Sequence, residues 1–273
     1  MTRDAPLEDL ARLAIDGDHG ALDALVRELQ RDVYGIALRM LWNREDAEDA
    51  TQEILVRIVT RLSQFDFRSK LRTWAYRVAV NFVLDVKKSA TERLHMTFDT
   101  LGDSLADGLG ADGPADGEGS LLLEEVKVGC SLAMLQCLDR PHRLAYMLGD
   151  IMEMSGPEAA EALDISADLF RKRLQHARAA VLSFTKAHCG LVSEAAPCQC
   201  NRQVASAVRT GRVDTHHLAF AGARSSFLDS RAMIQQVDEA RRAVVLHRTS
   251  HPKGSDVDFA RRIAGMFDDP TSG

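Results

Sequence analysis

The residues best suited to binding chemistry lie in one stretch, from Phe65 to Lys88, where basic and aromatic side chains are interleaved. Basic side chains neutralise phosphates, and aromatic faces stack on unpaired bases, so the mixture predicts a surface for single-stranded nucleic acid. An ordinary amphipathic helix with a basic solvent face remains the alternative, because Trp and Tyr at helical spacing are more often core. The residues are Arg68, Lys70, Arg72, Arg77, Lys87 and Lys88 with Phe67, Trp74, Tyr76 and Phe82.

Helical periodicity precedes this stretch over residues 7–63, and the last predicted helix there is acidic in its N-terminal half. Asn43 is its expected N-cap, with Glu45 and Asp46 in the first turn. The helix dipole alone favours acids at this end. The functional alternative is a docking surface for a basic partner.

Beyond the basic stretch, residues 97–120 contain six acids, no Lys or Arg, and many Gly. This composition predicts a flexible acidic linker. Helical periodicity resumes at residue 121, and Ser155 and Pro157 mark the start of a short Ala-rich helix. A three-residue turn and a basic second helix follow, which together predict a DNA-binding helix-turn-helix more strongly than a structural hairpin.

Length and composition limit the class of protein. The chain has 273 residues, 45% of them hydrophobic and 27% charged, with a net charge of -6. It has no apolar run long enough for a membrane span and no apolar signal core at the N-terminus, which predicts a cytoplasmic protein. No Gly-rich phosphate loop, nucleophile motif or metalloprotease spacing is present, so we expect no enzyme activity.

Four potential metal ligands stand close together after the basic second helix: His188, Cys189, Cys198 and Cys200. Thiolates and imidazole are ligands for Zn or Cu(I), but the spacing is not that of a common zinc finger. A redox-active thiol pair and buried structural thiols are the alternatives. All three interpretations stay open at this point.

Two of these regions together resemble the sigma factors of bacterial RNA polymerase, in particular the compact extracytoplasmic-function group. DAEDATQEILVRIV at 46–59 and FDFRSKLRTWAYRVAVNFVLDVKK at 65–88 are similar to segments of the family's region two. KRLQHAR at 172–178 is similar to the end of its region four. Phe67 stands where the family usually has Gly. The loop before the basic helix is therefore the segment to which the family's features transfer least.

The resemblance implies roles for matching positions. Trp74 is expected to pack in the core, while the polar edge of its helix contacts the minus-ten element. The recognition helix is expected to read a minus-thirty-five element in the major groove. The implied core-polymerase contacts are Asp46, Asp49, Gln52 and Glu53, and the implied DNA contacts are Arg72, Tyr76, Arg77, Asn81, Lys88, Asp168, Arg171, Lys172 and Gln175.

The predicted fold class is all-α, with two small helical domains joined by the flexible acidic linker and a mainly helical C-terminal extension. The expected regions are 1–93 (region two), 94–123 (linker), 124–187 (region four) and 188–273 (extension). In the extension we expect one helix up to Pro252 and a short amphipathic segment after it.

The predicted function is a sigma factor that binds core RNA polymerase and promoter DNA and helps to melt the promoter. No cofactor is expected for promoter binding; Zn or Cu(I) would occupy the Cys cluster. Regulation is expected through an anti-sigma factor or through intramolecular inhibition by the extension. The alternative is a helix-turn-helix repressor or activator that acts on duplex DNA without core polymerase.

Overall fold

The computed structural model describes residues 6–86, 96–109, 120–222 and 226–268. Apart from one isolated bridge between Cys189 and Cys198, the regular secondary structure of these residues is helical, which confirms the all-α class. The α-helices are α1 (Leu7–Ile15), α2 (His19–Leu41), α3 (Arg44–Thr60), α4 (Leu71–Asp85), α5 (Phe98–Asp107), α6 (Ser120–Gln136), α7 (Arg140–Tyr146), α8 (Gly156–Ala162), α9 (Ala167–His188), α10 (Cys200–Arg209), α11 (Phe227–Gln235), α12 (Glu239–Thr249) and α13 (Phe259–Asp268).

Two compact units divide the chain, and neither is continuous in sequence. The first comprises Met1–Thr91, Ser155–Phe170 and Gly254–Gly273, and the second comprises Glu92–Met154 and Arg171–Lys253. The helix-turn-helix predicted within 124–187 is α8 followed by α9, and the two units divide it within α9. The predicted regions are functional assignments and stay predictions.

The first unit is organised around α2, whose buried face includes Leu25, Leu29 and Val33. Helices α1, α3 and α4 pack against it. Asp18 caps α2 by accepting the Ala21 amide at 3.0 Å, after a turn in which Gly17 has a φ of +95° that favours glycine. This scaffold fixes α3 and α4 side by side.

The second unit contains a buried polar network on α6. Glu125 accepts three backbone amides, those of Ala219, Phe220 and Ala221, at 2.6–2.9 Å. Lys127 is 2% exposed; it pairs with Glu124 at 2.9 Å and donates to Ser230 and to the Thr249 carbonyl. Because an unpaired buried charge is costly, α6 requires its partners from the extension.

The linker and the extension differ from the sequence prediction. Within 94–123, Phe98–Asp107 forms a capped helix because Leu101 and Leu105 lie on one face and are buried. Residues 110–119 lie outside the described part. The single helix predicted before Pro252 is two helices, α11 and α12, because Asp238 caps a new helix by accepting the Arg241 amide.

Among residues 6–86, 96–109, 120–222 and 226–268, no helix is long and apolar enough to cross a membrane.

Candidate functional site

Three acids form an exposed stripe on α3. Asn43 begins the helix by accepting the Asp46 amide at 2.9 Å, as predicted. Asp46, Asp49 and Glu53 are spaced three and four residues apart, so they lie on one face of the helix, and all three are exposed. Glu53 is 3.0 Å from Arg57, an exposed i,i+4 pair that costs little to break. The stripe presents negative charge that a basic helix can meet.

Gln52 lies on the neighbouring stripe of the same helix, with Glu48 one turn before it. Its Oε1 accepts a hydrogen bond from Arg262 of α13 at 3.1 Å, and Glu48 accepts one from Ser255 at 2.8 Å. The structure therefore separates the four predicted core-binding residues into three exposed acids and one engaged amide.

The loop that leads into α4 contains backbone strain at the position where the sequence departs from the family. Phe67 has a φ of 59°, in the left-handed region that favours glycine. Its ring is held by Phe65, with centroids 4.6 Å apart, and by Arg12, whose guanidinium lies 4.0 Å from the ring centroid. Phe67 thus adopts a glycine-type backbone conformation while its ring packs between Phe65 and Arg12.

Helix α4 buries Tyr76 more deeply than Trp74. Tyr76 is 3% exposed, and its hydroxyl donates to Asp32 on α2 at 2.7 Å. Trp74 is only half-buried and packs beside Phe65, with ring centroids 5.6 Å apart. The assignment of Tyr76 to DNA is therefore corrected to a core position, because α2 supplies a partner for its hydroxyl. Trp74 packs against the buried Phe65, as expected, and part of its side chain remains exposed.

The polar residues predicted to contact DNA along α4 have three different environments. Arg72 is exposed beside Asp32 at 3.3 Å, and Asn81 is exposed. Arg77 is engaged: its Nε donates to the Glu161 backbone carbonyl at 3.1 Å, and its guanidinium lies 3.4 Å from the Glu161 carboxylate. Lys88 lies outside the described residues. Arg72 and Asn81 are thus exposed, whereas Arg77 is occupied within the first unit.

Glu158, like Glu161 an acid of α8, pairs with a basic residue at the start of α4. Glu158 is 2.7 Å from Lys70 and completes the capping box of Ser155, the cap expected from the sequence. The Lys70 ammonium, followed by the Ser155 hydroxyl and amide, lowers the pKa of Glu158 to about 2. Two basic residues at α4 therefore meet acids of α8.

Helix α9, the second helix of the predicted helix-turn-helix, carries its predicted DNA contacts on one face. Asp168, Arg171, Lys172 and Gln175 have the i, i+3, i+4, i+7 spacing of a single helical stripe, and all four are exposed. Arg178 is instead bound to the buried Asp150 through two hydrogen bonds of 2.6 and 2.7 Å. The stripe carries donors that can reach base edges or phosphates.

The cysteine region differs from the predicted ligand set. His188 stacks on Phe184, with centroids 4.7 Å apart, and faces Gly102 of α5, where a Cβ would clash with its ring. Among the residues that the structure describes, no group of three or more His, Cys, Asp or Glu side chains is placed to hold a metal ion. The residues as arranged do not fit a Zn or Cu(I) site, and metal binding remains a prediction.

Cys130 of α6 lies near the predicted cysteine cluster, and sequence spacing did not reveal this neighbour. Cys130, Cys189, Cys198 and Cys200 are free and half-buried. Burial first, and then the neighbouring cysteines, raise the pKa of Cys130, Cys198 and Cys200, with Cys198 reaching about 11. Only the packing of α10 against α6 brings position 130 close, so no local signal could have identified it.

Comparisons with known proteins match this arrangement. The Sigma-70 region 2 family matches residues 25–93, which contain the acidic stripe and the basic helix. RNA polymerase sigma factor NccH of Alcaligenes xylosoxydans xylosoxydans is 31% identical over 180 residues, which cover 66% of this chain and 94% of the relative. ECF RNA polymerase sigma factor SigW of Bacillus subtilis (strain 168) is 28% identical over 177 residues, covering 60% and 89% respectively.

A solved structure titled "Structure of CnrH in complex with the cytosolic domain of CnrY" is 23% identical, with a TM-score of 0.48, and the match covers 65% of this chain and 96% of that one. The family assignment comes instead from the sequence relatives, since this chain covers nearly the whole length of NccH. The chain belongs to the extracytoplasmic-function group of RNA polymerase sigma factors.

Proposed function

We propose that this chain acts as a promoter-specificity subunit that docks on core RNA polymerase through the stripe of Asp46, Asp49 and Glu53. The observation that carries the proposal is the exposure of three acids on one face of α3 within the segment matched by Sigma-70 region 2. Charge of one sign on a rigid helix favours encounter with a basic surface and fixes its register.

In the same proposal, α4 holds the non-template strand of the minus-ten element. Arg72 and Asn81 contribute exposed polar groups, and the half-buried Trp74 contributes aromatic surface against which an unpaired base can pack. Arg77 joins them once it leaves Glu161, and Lys88 keeps its predicted DNA contact. The stripe of Asp168, Arg171, Lys172 and Gln175 reads the minus-thirty-five element in duplex DNA.

The proposed activity is binding without catalysis, in the cytoplasm, where the chromosome is transcribed. Promoter binding in this account uses side chains of the chain itself and no cofactor. We expect protein treated with a chelator and then dialysed to bind promoter DNA with core polymerase as well as untreated protein does. A large loss of promoter binding that added Zn²⁺ restores would contradict that part of the proposal.

The test of docking is a charge reversal on the stripe. Asp49→Lys with Glu53→Lys should weaken binding of core polymerase by about tenfold or more, because two attractive charges become repulsive. The matched control is Asp103→Lys with Glu194→Lys, which makes the same change of net charge at two exposed acids of the second unit. Equal affinity of the two double variants would refute the docking surface.

A repressor or activator that acts on duplex DNA alone is the second candidate, supported by the exposed stripe on α9. It predicts promoter affinity that core polymerase does not change. The proposed sigma function predicts specific promoter binding that depends on core polymerase, so one mobility-shift series with and without core separates the two.

A further inference from the structure

The last described segment, residues 254–268, belongs to the first compact unit and not to the unit formed by the rest of the extension. Its helix α13 packs against α2 and α3. Phe259, Ala260 and Ile263 are 1–2% exposed, and Ile263 and Ala260 line a groove with Leu22 and Val26 of α2. A small apolar anchor thus holds the segment on the helices that build the acidic stripe.

Polar contacts of this segment concentrate at one edge of α3. Arg262 donates to Gln52, Ser255 donates to Glu48, and Asp256 lies 3.8 Å from Arg44. A further pair joins Asp258 to Arg27 of α2 at 3.2 Å. The engaged residues Glu48 and Gln52 flank the stripe of Asp46, Asp49 and Glu53 on the same helix. A partner helix that lies along α3 therefore meets α13 at its border.

The ion pairs of this segment are weak. Arg27, Asp258 and Asp256 are between 46% and 86% exposed, and exposed ion pairs contribute little to stability. The apolar anchor is one aromatic, one alanine and one isoleucine. We expect α13 to open at a lower free energy than α2 at the centre of the unit, because three described side chains of α13 are buried whereas α2 buries eleven.

We propose that residues 254–268 are an intramolecular plug that competes with core RNA polymerase for the α3 face. This inference rests on the proposed docking function and names its regulation. In the plugged state, residues 254–268 bind Gln52 and lie beside the acidic stripe. In the open state, the segment has left and the whole α3 face is exposed to a partner. Core polymerase binds the open state better and shifts the population towards it, and its apparent affinity is reduced by the fraction of chains that are plugged.

The remaining extension has a different role. The buried Lys127 donates hydrogen bonds to Ser230 of α11 and to the Thr249 carbonyl of α12. Backbone amides of residues 219–221 donate to Glu125. Residues 188–253 are therefore part of the core of the second unit. Removing all of 188–273 would expose those charges and unfold that unit. Removal of 254–273 alone leaves these contacts in place and therefore tests the effect of the plug by itself.

The experiment measures the affinity of core polymerase for the full chain, for a chain that ends at Lys253, and for Ile263→Asp in the full chain. We expect both altered proteins to bind core about three- to tenfold more tightly, because the plugged fraction is lost. Met266→Asp is the matched control, since Met266 is 48% exposed on the same helix, and it should bind as the full chain does. A synthetic peptide of residues 254–273 should restore the weaker binding of the truncated chain.

The outcomes separate the plug from the docking function. Equal or weaker binding by both the truncated chain and Ile263→Asp, with unchanged helical content by circular dichroism, refutes the plug alone. Absence of core binding by every form refutes the docking function and the plug with it. If truncation impairs folding, hydrogen exchange decides: amides of residues 259–266 in the full chain should lose protection when core is added, and unchanged protection overturns the proposal.

Discussion

The two compact units use charge in opposite ways. In the first unit, Asp49 and Glu53 are exposed on α3 and available to a partner. In the second unit, Lys127 and Glu125 are about 2% exposed, and their partners come from the extension. Exposed charges contribute little to folding and much to recognition, whereas buried charges are costly unless every group is paired. The difference separates charges that can meet a partner from charges that hold the extension within the second unit.

Breaking the buried network should give the largest effect on stability. Lys127→Met leaves Glu124 buried without its ammonium, so the free energy of unfolding of the second unit should fall by about 3–5 kcal/mol. Denaturant unfolding measures the change. The matched control is Lys186→Met, which removes an exposed pair with Glu239 and should cost less than about 1 kcal/mol.

A combined variant sharpens that prediction. Lys127→Met with Glu124→Gln removes both charges and should recover part of the loss, because no unpaired charge is then left buried. Burial raises the pKa of Glu124, which is the direction expected when the charged form is disfavoured. Equal stability of Lys127→Met and Lys186→Met would show that the second unit does not depend on its buried charge.

The thiols of the second unit should be much less reactive than ordinary thiols. Burial raises the pKa of Cys198 from the ordinary thiol value of about 9 to about 11. At pH 8 its thiolate fraction is then about 0.1%, compared with about 10% for an unperturbed thiol, so alkylation should be about a hundredfold slower. Mass spectrometry of a labelling time course measures the rate, with the denatured chain as control.

Two results would contradict this account of the cysteines. Rapid labelling of Cys198 in the folded chain would show that its thiol is not protected. Stoichiometric Zn²⁺ retained after purification would instead support the metal prediction against the arrangement of the side chains in the structure.

In the first unit, Tyr76→Phe separates packing from recognition. The change removes the 2.7 Å hydrogen bond to Asp32, and the free energy of unfolding should fall by about 1–2 kcal/mol. Affinity for single-stranded promoter DNA with core polymerase should not change. Arg72→Ala, at an exposed position, should lower that affinity several-fold. Lower DNA affinity of Tyr76→Phe without a loss of stability would restore the original assignment of Tyr76.

The smallest effect is expected at the exposed pair of Lys70 and Glu158. The pKa of Glu158 in the folded chain, about 2, lies below the ordinary glutamate value of about 4.5, so this group stabilises the fold above about pH 4.5. The contribution is lost as pH falls from about 4.5 to 2. The stability difference between the full chain and Glu158→Gln should therefore shrink over that window, and unfolding curves at several pH values measure it. A difference independent of pH would contradict the pairing.

Local sequence rules predicted much of the first unit. Asn43, Ser155 and Pro157 marked helix starts that the structure confirms, since a cap depends only on nearby residues. The acidic N-terminal half of α3 was evident from the sequence, whereas its predicted contact residues came from the family resemblance. Tyr76 was assigned wrongly because its partner, Asp32, is 44 residues away on another helix.

The second unit was less predictable because its contacts are distant in sequence. Lys127 meets Ser230 and Thr249, which are 103 and 122 residues away, and no periodicity reveals such pairs. The helix Phe98–Asp107 was hidden by the acidic, Gly-rich composition around it. Its carbonyl at Leu105 accepts from Gln203 of α10 at 2.7 Å, another contact that only the fold creates.

We propose that the exposed acids of α3 dock this sigma factor on core polymerase for promoter-dependent transcription. The most direct measurement is in vitro transcription with reconstituted holoenzyme on a library of genomic fragments, using the full chain and Asp49→Lys with Glu53→Lys. We predict discrete start sites with the full chain and their loss in the double variant, while Asp103→Lys with Glu194→Lys retains them. Equal transcription by both double variants, or no start sites with the full chain, would contradict the account.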